Sequence, residues 1–218
     1  MDHDSHGEGS DQVKKIRRTI LATVAMSAAI AATSAFALPS RGVPARGALL
    51  NHVNWGDVAI PGQLCEVSGP IQLHNGRAVV FHSGFGPIVV YTSSVTHGYL
   101  RHRLPVAALQ IWCATAAGMV KVPLAEGIVV FSSAGGTAHL LGTLTPQYRP
   151  ASEPFIPYIS VARIDKAGHL TTTEFWYAPS NPACCPSGRA TTVWKWTGRT
   201  FVPGLTKIHR RLLAGRCC

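Results

Sequence analysis

After residue 54, hydrophobic residues form short runs that alternate with turn-forming residues, and this pattern predicts β-strands. Between two of the runs, Asn75-Gly76 tolerates the positive φ angles of a type I′ turn, which predicts a tight hairpin. The segment at residues 106–117 is also compatible with a helix, because Ala107 and Ala108 favour one. The predicted strands lie at residues 71–74, 77–82, 88–92, 107–113, 127–131, 138–144, 158–164, 170–177, 190–196 and 200–202.

The fold class predicted from this pattern is mainly β, sandwich or barrel-like, with an antiparallel meander in the C-terminal half. The meander comprises three predicted strands, at residues 170–177, 190–196 and 200–202, and a turn at residues 165–168 precedes it. No internal repeat and no long amphipathic helix interrupts the pattern after residue 38.

The N-terminal residues have the layout of an export signal. A basic segment at residues 14–18 precedes an uncharged, Ala-rich stretch from residue 19 to residue 38 that contains Ala35-Phe36-Ala37. This order predicts either a secretory signal cleaved after Ala37 or an uncleaved signal-anchor helix. Both interpretations place residues 38–218 outside the cytoplasm, in a secreted or cell-envelope location.

The composition divides the chain further. We expect a signal peptide or anchor at 1–37, a Pro- and Gly-containing linker at 38–54, a β-rich exported domain at 55–206 and a basic tail at 207–218. With 46% hydrophobic and 14% charged residues, the chain is neither a disordered protein nor a coiled coil.

The net charge of +10 belongs to the exported part, because residues 1–37 hold equal numbers of basic and acidic residues. A basic surface favours anionic partners, and in an exported protein these are anionic envelope polymers or lipid. Export argues against a nucleic-acid partner. The sequence contains no H-E-x-x-H motif and no C-x-x-C pair, so we expect no metal and no other cofactor.

Aromatic residues in the predicted meander are candidates for ligand binding. Trp194 and Trp196 share one face of their strand with Lys195 opposite, whereas Trp176 lies opposite Phe175 and Tyr177. Such aromatics either fill a core or, where they are exposed, stack against a sugar ring. The candidate surface residues are Trp176, Trp194, Trp196 and Arg189.

Catalytic residues stay unassigned. A glycosidase needs two facing carboxylates, and sequence does not show which of them face each other. Glu174 has an alternative role as the holder of a structural hydrogen bond. There is no G-x-S-x-G nucleophile motif. The carboxylates after residue 37 are Asp57, Glu66, Glu126, Glu153, Asp165 and Glu174.

Several segments together resemble a known group of proteins. They are Pro61-Gly62-x-Leu64-Cys65, Pro70-Ile71-x-Leu73-x-Asn75-Gly76, Ala107-Ala108-Leu109-x-x-x-Cys113, Glu174-x-Trp176-Tyr177 and CCPSGRATT from Cys184. In this order, over about residues 55–206, they are similar to the actinobacterial exported proteins of the LppP/LprE lipoprotein group. The lipid-bearing Cys of that group is missing here. The resemblance implies an envelope domain without assigned catalytic residues.

The cysteines are expected to form disulfides, because their number is even in an exported chain. In the resembled group four cysteines recur, which implies pairs Cys65–Cys113 and Cys184–Cys185. The alternative links each early cysteine to one of the later two, and a third interpretation makes Cys184 and Cys185 a redox pair. The six cysteines are Cys65, Cys113, Cys184, Cys185, Cys217 and Cys218.

Taken together, these features predict an exported, disulfide-stabilised envelope protein that acts as a binding or structural module. The alternative is a small secreted hydrolase that acts on cell-wall material. The two classes differ in their sites: a hydrolase needs converging His, Ser or carboxylate side chains, whereas a binding module needs an aromatic or basic patch.

Overall fold

Antiparallel β-strands build the domain in the computed structural model, which describes residue 50 and residues 52–116, 121–134, 137–151, 156–179 and 186–209. All of these residues belong to one unit, Gly42–Cys218. The mainly β prediction is confirmed. The predicted N-terminal signal or anchor helix lies outside the described residues, as do Cys184, Cys185, Cys217 and Cys218. Across the described ranges, no helix has the length and apolar character needed to cross a membrane.

Two short strands and two 3₁₀ turns open the domain. The turns are Trp55–Asp57 and Gly62–Cys65, and the strands are β1 (Ala59–Pro61) and β2 (Pro70–Gln72), which pair with each other. We call residues 55–72 the N-terminal cover.

A five-stranded central sheet follows, with the strands in sequence order from β3 to β7. Each strand pairs antiparallel with the next, so the sheet is a simple meander. Its strands are β3 (Arg77–His82), β4 (Gly86–Leu100), β5 (Leu104–Thr115), β6 (Pro123–Ala134) and β7 (Thr137–Leu144).

The middle strand β5 is buried on both faces, which explains why its sequence is apolar almost throughout. Leu109 and Ile111 belong to a cluster under the N-terminal cover, whereas Val106 and Ala108 belong to a second cluster on the opposite face. The alternative helix over residues 106–117 does not form, because pairing with β4 and β6 on both edges outweighs the helix preference of alanine.

A disulfide joins the N-terminal cover to the central sheet. Cys65 and Cys113 are both buried, and their Cα atoms lie 5.6 Å apart. This pairing was implied by the family resemblance and is confirmed; the crossed alternative is excluded for these two residues.

The Asn-Gly turn forms where it was predicted, but the hairpin is minimal. Asn75 and Gly76 have φ angles of 52° and 75°, as a type I′ turn requires. Only the bridge between His74 and Arg77 closes the hairpin, because residues 70–72 pair with β1 instead. Residues 71–74 alternate between hydrophobic and polar side chains, and this alternation does not specify which strand they pair with.

The remaining strands form a second, C-terminal sheet. It contains β8 (Tyr158–Ile164), β9 (Leu170–Trp176), β10 (Gly188–Trp196), β11 (Phe201–Pro203) and β12 (Lys207–His209). The predicted three-strand meander forms as β9, β10 and β11 in sequence order, and β8 extends it by pairing with β9. Strand β12 pairs with β10, so the sheet extends into the segment that the sequence analysis assigned to the tail.

The two large sheets share a core. Val106, Ile128 and Leu144 of the central sheet form one buried cluster with Ile159 and Leu170 of the C-terminal sheet. The C-terminal sheet therefore buries one face against the central sheet, and its opposite face is left to solvent. That exposed face is where the candidate site lies.

Candidate functional site

Strand β10 separates two chemically different faces of the C-terminal sheet. Its residues alternate between buried and exposed positions: Ala190, Thr192 and Trp194 point into the core, whereas Arg189 and Lys195 are exposed. The sequence between Gly188 and Trp196 thus specifies an apolar inner face and a basic outer face on one strand.

Cross-strand neighbours add further cations to this outer face. Directly opposed residues of an antiparallel pair lie on the same face. Thr191 pairs with Lys207 and Arg189 pairs with His209, which places β12 side chains beside those of β10. On the other side, Val193 pairs with Thr171, which pairs with Arg163 of β8. We call this surface the basic face; its charged or titratable members are Arg163, Arg189, Lys195, Lys207 and His209.

The basic face carries no carboxylate among the described residues. Glu174 of β9 points to the buried side, where it is fully enclosed. Among the described ranges, the ion pairs involve histidines only, His82 with Glu66 and His169 with Asp165. Within the described ranges, the lysines and arginines of the basic face therefore have no carboxylate as an ion-pair partner.

An aromatic row leads from the central sheet to the basic face. The ring centroids of Tyr91 and Trp112 lie 6.2 Å apart, those of Trp112 and Tyr158 also 6.2 Å, and those of Tyr158 and Phe175 4.9 Å. Phe175 is the direct cross-strand neighbour of Arg189, so the row ends at the basic face. All four rings are half-buried, so each presents part of its surface to solvent.

A cation also stands at the other end of the aromatic row. The Nζ atom of Lys121 lies 5.7 Å from the ring centroid of Tyr91, within the range of a cation–π contact. Arg77 pairs with Tyr91 across β3 and β4 and is exposed. Basic side chains therefore flank the aromatic row at both ends.

A buried polar network supports the row from below. Ser94 Oγ donates to Gln110 Oε1 over 3.0 Å, and Gln110 Nε2 donates both to Glu126 Oε1 and to the carbonyl oxygen of Ile159. The last bond connects the central sheet to β8, which carries Tyr158. Glu126 pairs with Trp112 across the strands, so the network sits directly beside the middle of the row.

Burial raises the pKa of Glu126 to about 8, and the side chains of Gln110 and Trp112 act in the opposite direction. The carboxyl group is therefore protonated at neutral pH. Its Oε2 atom is buried and has no hydrogen-bond partner among the described residues. A neutral carboxyl group is far less costly to bury in this way than a carboxylate.

Glu174 has the structural role that the sequence analysis gave as its alternative. Its Oε2 accepts hydrogen bonds from the backbone N–H groups of Gln147 and Tyr148, at 2.7 Å and 3.0 Å. Thr172 Oγ1 donates to its Oε1 at 3.4 Å. The carboxylate thus holds the segment that follows β7 against the C-terminal sheet.

The other described carboxylates are similarly committed to local partners. Asp57 accepts from the backbone N–H of Asn75, and Asp165 contacts His169. Each described carboxyl group has a separate set of partners. No group of three metal-ligating side chains occurs within the described ranges either.

Three of the candidate surface residues belong to packed regions instead. Trp194 is 4% exposed and donates from Nε1 to Thr172 Oγ1 over 3.0 Å. Trp196 packs against the second core cluster and its ring centroid lies 4.8 Å from that of Phe201. The interpretation of Trp194 and Trp196 as a sugar-stacking surface pair is wrong, since their face is the one covered by the central sheet.

Trp176 is half-buried and packs edge-on against Tyr148, with a centroid distance of 5.5 Å. A Cβ on Gly188 would lie 2.6 Å from its ring, so the glycine leaves room for the indole. Of the four candidates, Arg189 lies on the exposed basic face. The half-buried rings of the aromatic row, rather than Trp194 and Trp196, are therefore the candidates for stacking against a ligand.

Sequence reasoning missed most of the site because its parts come from both sheets. The alternation Arg189-x-Thr191-x-Val193-x-Lys195 is a readable signal for one polar strand face. The adjacency of Trp112 and Tyr158 is not readable, because it depends on how the edge strand β8 meets the central sheet.

Comparisons of the chain with protein-family models, with curated proteins and with solved structures find no match. The function proposed for the protein is therefore inferred from the residues of the basic face and the aromatic row.

Proposed function

We propose that the protein is a non-enzymatic binding module of the cell envelope that holds a linear anionic polymer on its basic face. The observation that carries this proposal is the acid-free cluster of Arg163, Arg189, Lys195 and Lys207 on one exposed sheet face. Folding of the domain does not require such a cluster, because like charges on one face repel each other.

The spacing of the cations suits an elongated ligand. Residues 189 and 195 are six positions apart on β10, which at about 3.4 Å per residue separates them by roughly 20 Å. Neighbouring strands add charges sideways at intervals of about 4.8 Å. A compact anion contacts one or two of these cations, whereas a polymer with repeated phosphate or carboxylate groups contacts the whole set.

The aromatic row extends the proposed path beyond the basic face. Partly exposed rings provide apolar surface for sugar units, and the flanking Lys121 and Arg189 provide charge for acidic groups. The combination favours an acidic polysaccharide or another sugar-containing polyanion over a purely aliphatic one.

The envelope location is part of the proposal. It is supported by the export-type N-terminal sequence and by the buried Cys65–Cys113 disulfide, which is typical of an oxidising compartment, and it agrees with the predicted resemblance to the LppP/LprE group. The buried core that the two sheets share provides the frame for the site. The hydrolase alternative lacks a supporting observation, since the described carboxyl groups have separate structural partners.

The proposal is tested by binding of the full chain to an acidic and a neutral polysaccharide. Polygalacturonate and unsubstituted dextran are suitable probes, measured by biolayer interferometry at low and moderate salt. The expected result is binding of the acidic polymer only, weakening as salt screens the charges.

Matched variants locate the binding. Arg189→Ala with Lys195→Ala removes two cations from the basic face, and Arg101→Ala with Arg149→Ala removes two exposed cations elsewhere. At about 1 kcal/mol for each exposed charge contact, the first variant loses about 2 kcal/mol of binding free energy, or about thirtyfold in affinity. Equal affinity of the two double variants, or equal binding of dextran, overturns the proposal.

A further inference from the structure

A separate cleft opens at one end of the two sheets. It has a volume of about 500 Å³ and lies where the end of β4 and the following 3₁₀ turn Arg101–Arg103 meet the turn between β8 and β9. We call it the turn cleft. It is lined by Gly98, Tyr99, Arg103, Ile164, Asp165 and Lys166.

Close packing of glycines fixes the walls of the turn cleft. A Cβ on Gly98 would lie 2.7 Å from the Cβ of Ile164, so the backbone of β4 packs directly against a side chain of β8. A Cβ on Gly168 would lie 2.6 Å from the backbone nitrogen of Arg101, and Gly168 has a φ of 79°. Both walls are therefore held without room for adjustment, and the cleft is preformed.

Arg103 has an unusual backbone conformation at the rim. Its φ of 59° lies in the left-handed region, which residues with a Cβ adopt at a cost in free energy. No glycine or asparagine, which tolerate this region, stands here. Such strain in a non-glycine residue is often found at ligand sites, because it points a side chain in a direction that a relaxed turn does not allow.

The lining combines three kinds of contact. Arg103 and Lys166 provide positive charge, and the ring of Tyr99, which is 43% exposed, provides a flat apolar surface. Asp165 provides a hydrogen-bond acceptor. Its carboxylate is oriented by the backbone N–H and the Nδ1 of His169, at 2.9 Å and 3.2 Å.

We propose that the turn cleft binds a single sugar unit that carries one phosphate or carboxylate group. The anionic group lies between Arg103 and Lys166, the sugar ring lies against Tyr99, and a sugar hydroxyl donates to Asp165. Neither Arg103 nor Lys166 is part of the basic face, so this site is independent of the proposed polymer path.

A ligand of this kind accounts for the presence of two cations and a carboxylate in one small cleft. A simple anion is attracted by the two cations and repelled by Asp165, whereas a sugar acid presents its charge to the cations and a hydroxyl to the carboxylate. The cleft volume falls within the range of small-molecule sites. The arrangement therefore selects a ligand with an anionic end and a hydroxylated body.

The experiment uses the full chain, kept in a non-ionic detergent because of its apolar N-terminal stretch, and backbone amide NMR shifts. Glucose 6-phosphate and glucuronate are the test ligands, and glucose and inorganic phosphate are the comparison ligands. We expect the two acidic sugars to shift the amides around residues 98–103 and 164–166, and to bind at least about tenfold more tightly than glucose or phosphate.

Variants separate binding from folding. Arg103→Gly removes the guanidinium group at a position whose backbone glycine accepts without strain, so the fold is kept. We expect Arg103→Gly and Lys166→Ala each to weaken binding of the acidic sugars about tenfold, and Arg101→Ala, outside the lining, to leave it unchanged.

Three results overturn the proposal: shifts that avoid the cleft, affinity for phosphate equal to that for glucose 6-phosphate, or unchanged binding in Arg103→Gly. The Arg189→Ala, Lys195→Ala variant is expected to bind the acidic sugars normally. A basic-face variant that loses polymer binding but still binds the acidic sugars supports the polymer site alone. A cleft variant that loses sugar binding but still binds the polymer supports the turn cleft alone.

Discussion

Replacing Glu126 by glutamine tests the buried network that connects the two sheets. Glutamine has the shape of a protonated glutamic acid and keeps an oxygen to accept the hydrogen bond from Gln110. Unlike glutamic acid, it does not titrate. The substitution therefore leaves the packing beside Trp112 intact and removes only the dependence of stability on the protonation of this carboxyl group.

The magnitude follows from the difference between the folded and unfolded states. Burial raises the pKa of Glu126 from 4.5 to about 8 in the folded protein. Between these values the folded state holds a proton that the unfolded state has released, so the free energy of unfolding falls as the pH rises. At about 1.4 kcal/mol for each tenfold difference in proton affinity, the full loss is about 5 kcal/mol above pH 8.

The assay is denaturant unfolding followed by tryptophan fluorescence, at intervals between about pH 5 and pH 9. Near pH 5 the wild-type protein and Glu126→Gln are expected to unfold at similar denaturant concentrations. At pH 8 and above, the variant is expected to be more stable by several kcal/mol. Other titrating groups contribute equally to both proteins and cancel in the difference.

Glu66→Gln is the control, because the Glu66 side chain is 78% exposed. Its unfolding free energy is expected to follow the wild-type pH dependence to within about 1 kcal/mol, the upper range for an exposed ion pair such as the one between Glu66 and His82. A constant difference between the wild-type protein and Glu126→Gln across the whole pH range would refute the reasoning, since it would mean that the carboxyl group ionises normally in the folded state.

Three further variants, one of them a double variant, test the disulfide and the packing of the core. Removing the disulfide with Cys65→Ala and Cys113→Ala, which are separated by 48 residues, is expected to lower the free energy of unfolding by about 4 kcal/mol in denaturant titrations. Gly98→Ala is expected to cost about 1–3 kcal/mol, measured in the same way, because its Cβ would lie 2.7 Å from that of Ile164. Trp194→Phe removes the indole donor to a buried hydroxyl and is expected to cost about 1–3 kcal/mol by thermal unfolding.

Each of these substitutions has a matched control. Gly84→Ala places a Cβ at 3.5 Å or more from its neighbours and is expected to be nearly neutral, unlike Gly98→Ala. Val193→Ala, at a 41% exposed position beside Trp194, is expected to lower the free energy of unfolding by only about 0.5 kcal/mol. For the disulfide, a reductant is expected to lower the stability of the wild-type protein by about 4 kcal/mol more than that of the double variant, which keeps the four later cysteines. Equal effects in a substitution and its control would contradict the packing argument.

Four of the five strands of the C-terminal sheet were predictable because their signals are local, whereas β12 lies in the segment predicted to be a tail. The segment at residues 158–164 alternates, ends in a turn that contains Gly168, and forms β8 with the predicted bounds. Strand β4 was less predictable: it continues to Leu100, whereas the predicted strand ends at residue 92. Its polar second half, with His97 and Gly98, has no hydrophobic alternation, and its pairing with β5 compensates for that.

The candidate site was predictable only in part. Arg189 directly precedes the predicted strand at residues 190–196 and lies exposed on the observed β10, so the local pattern placed it to within one residue. For Trp194, the alternation along β10 shows which side chains share its face of the strand. It does not show which of the two faces packs against the central sheet. The juxtaposition of Tyr158 with Trp112, and of Arg103 with Lys166, depends on contacts between elements distant in sequence, for which a single sequence contains no signal.

The strand order of the central sheet has a consequence for how the protein is made. Each strand from β3 to β7 lies beside the one synthesised just before it. A chain that emerges gradually, from a ribosome or from a membrane pore, can therefore add each new strand to a finished neighbour without waiting for a remote segment. Cys65 and Cys113 both precede β6, so their cross-link can close before the second half of the molecule has appeared.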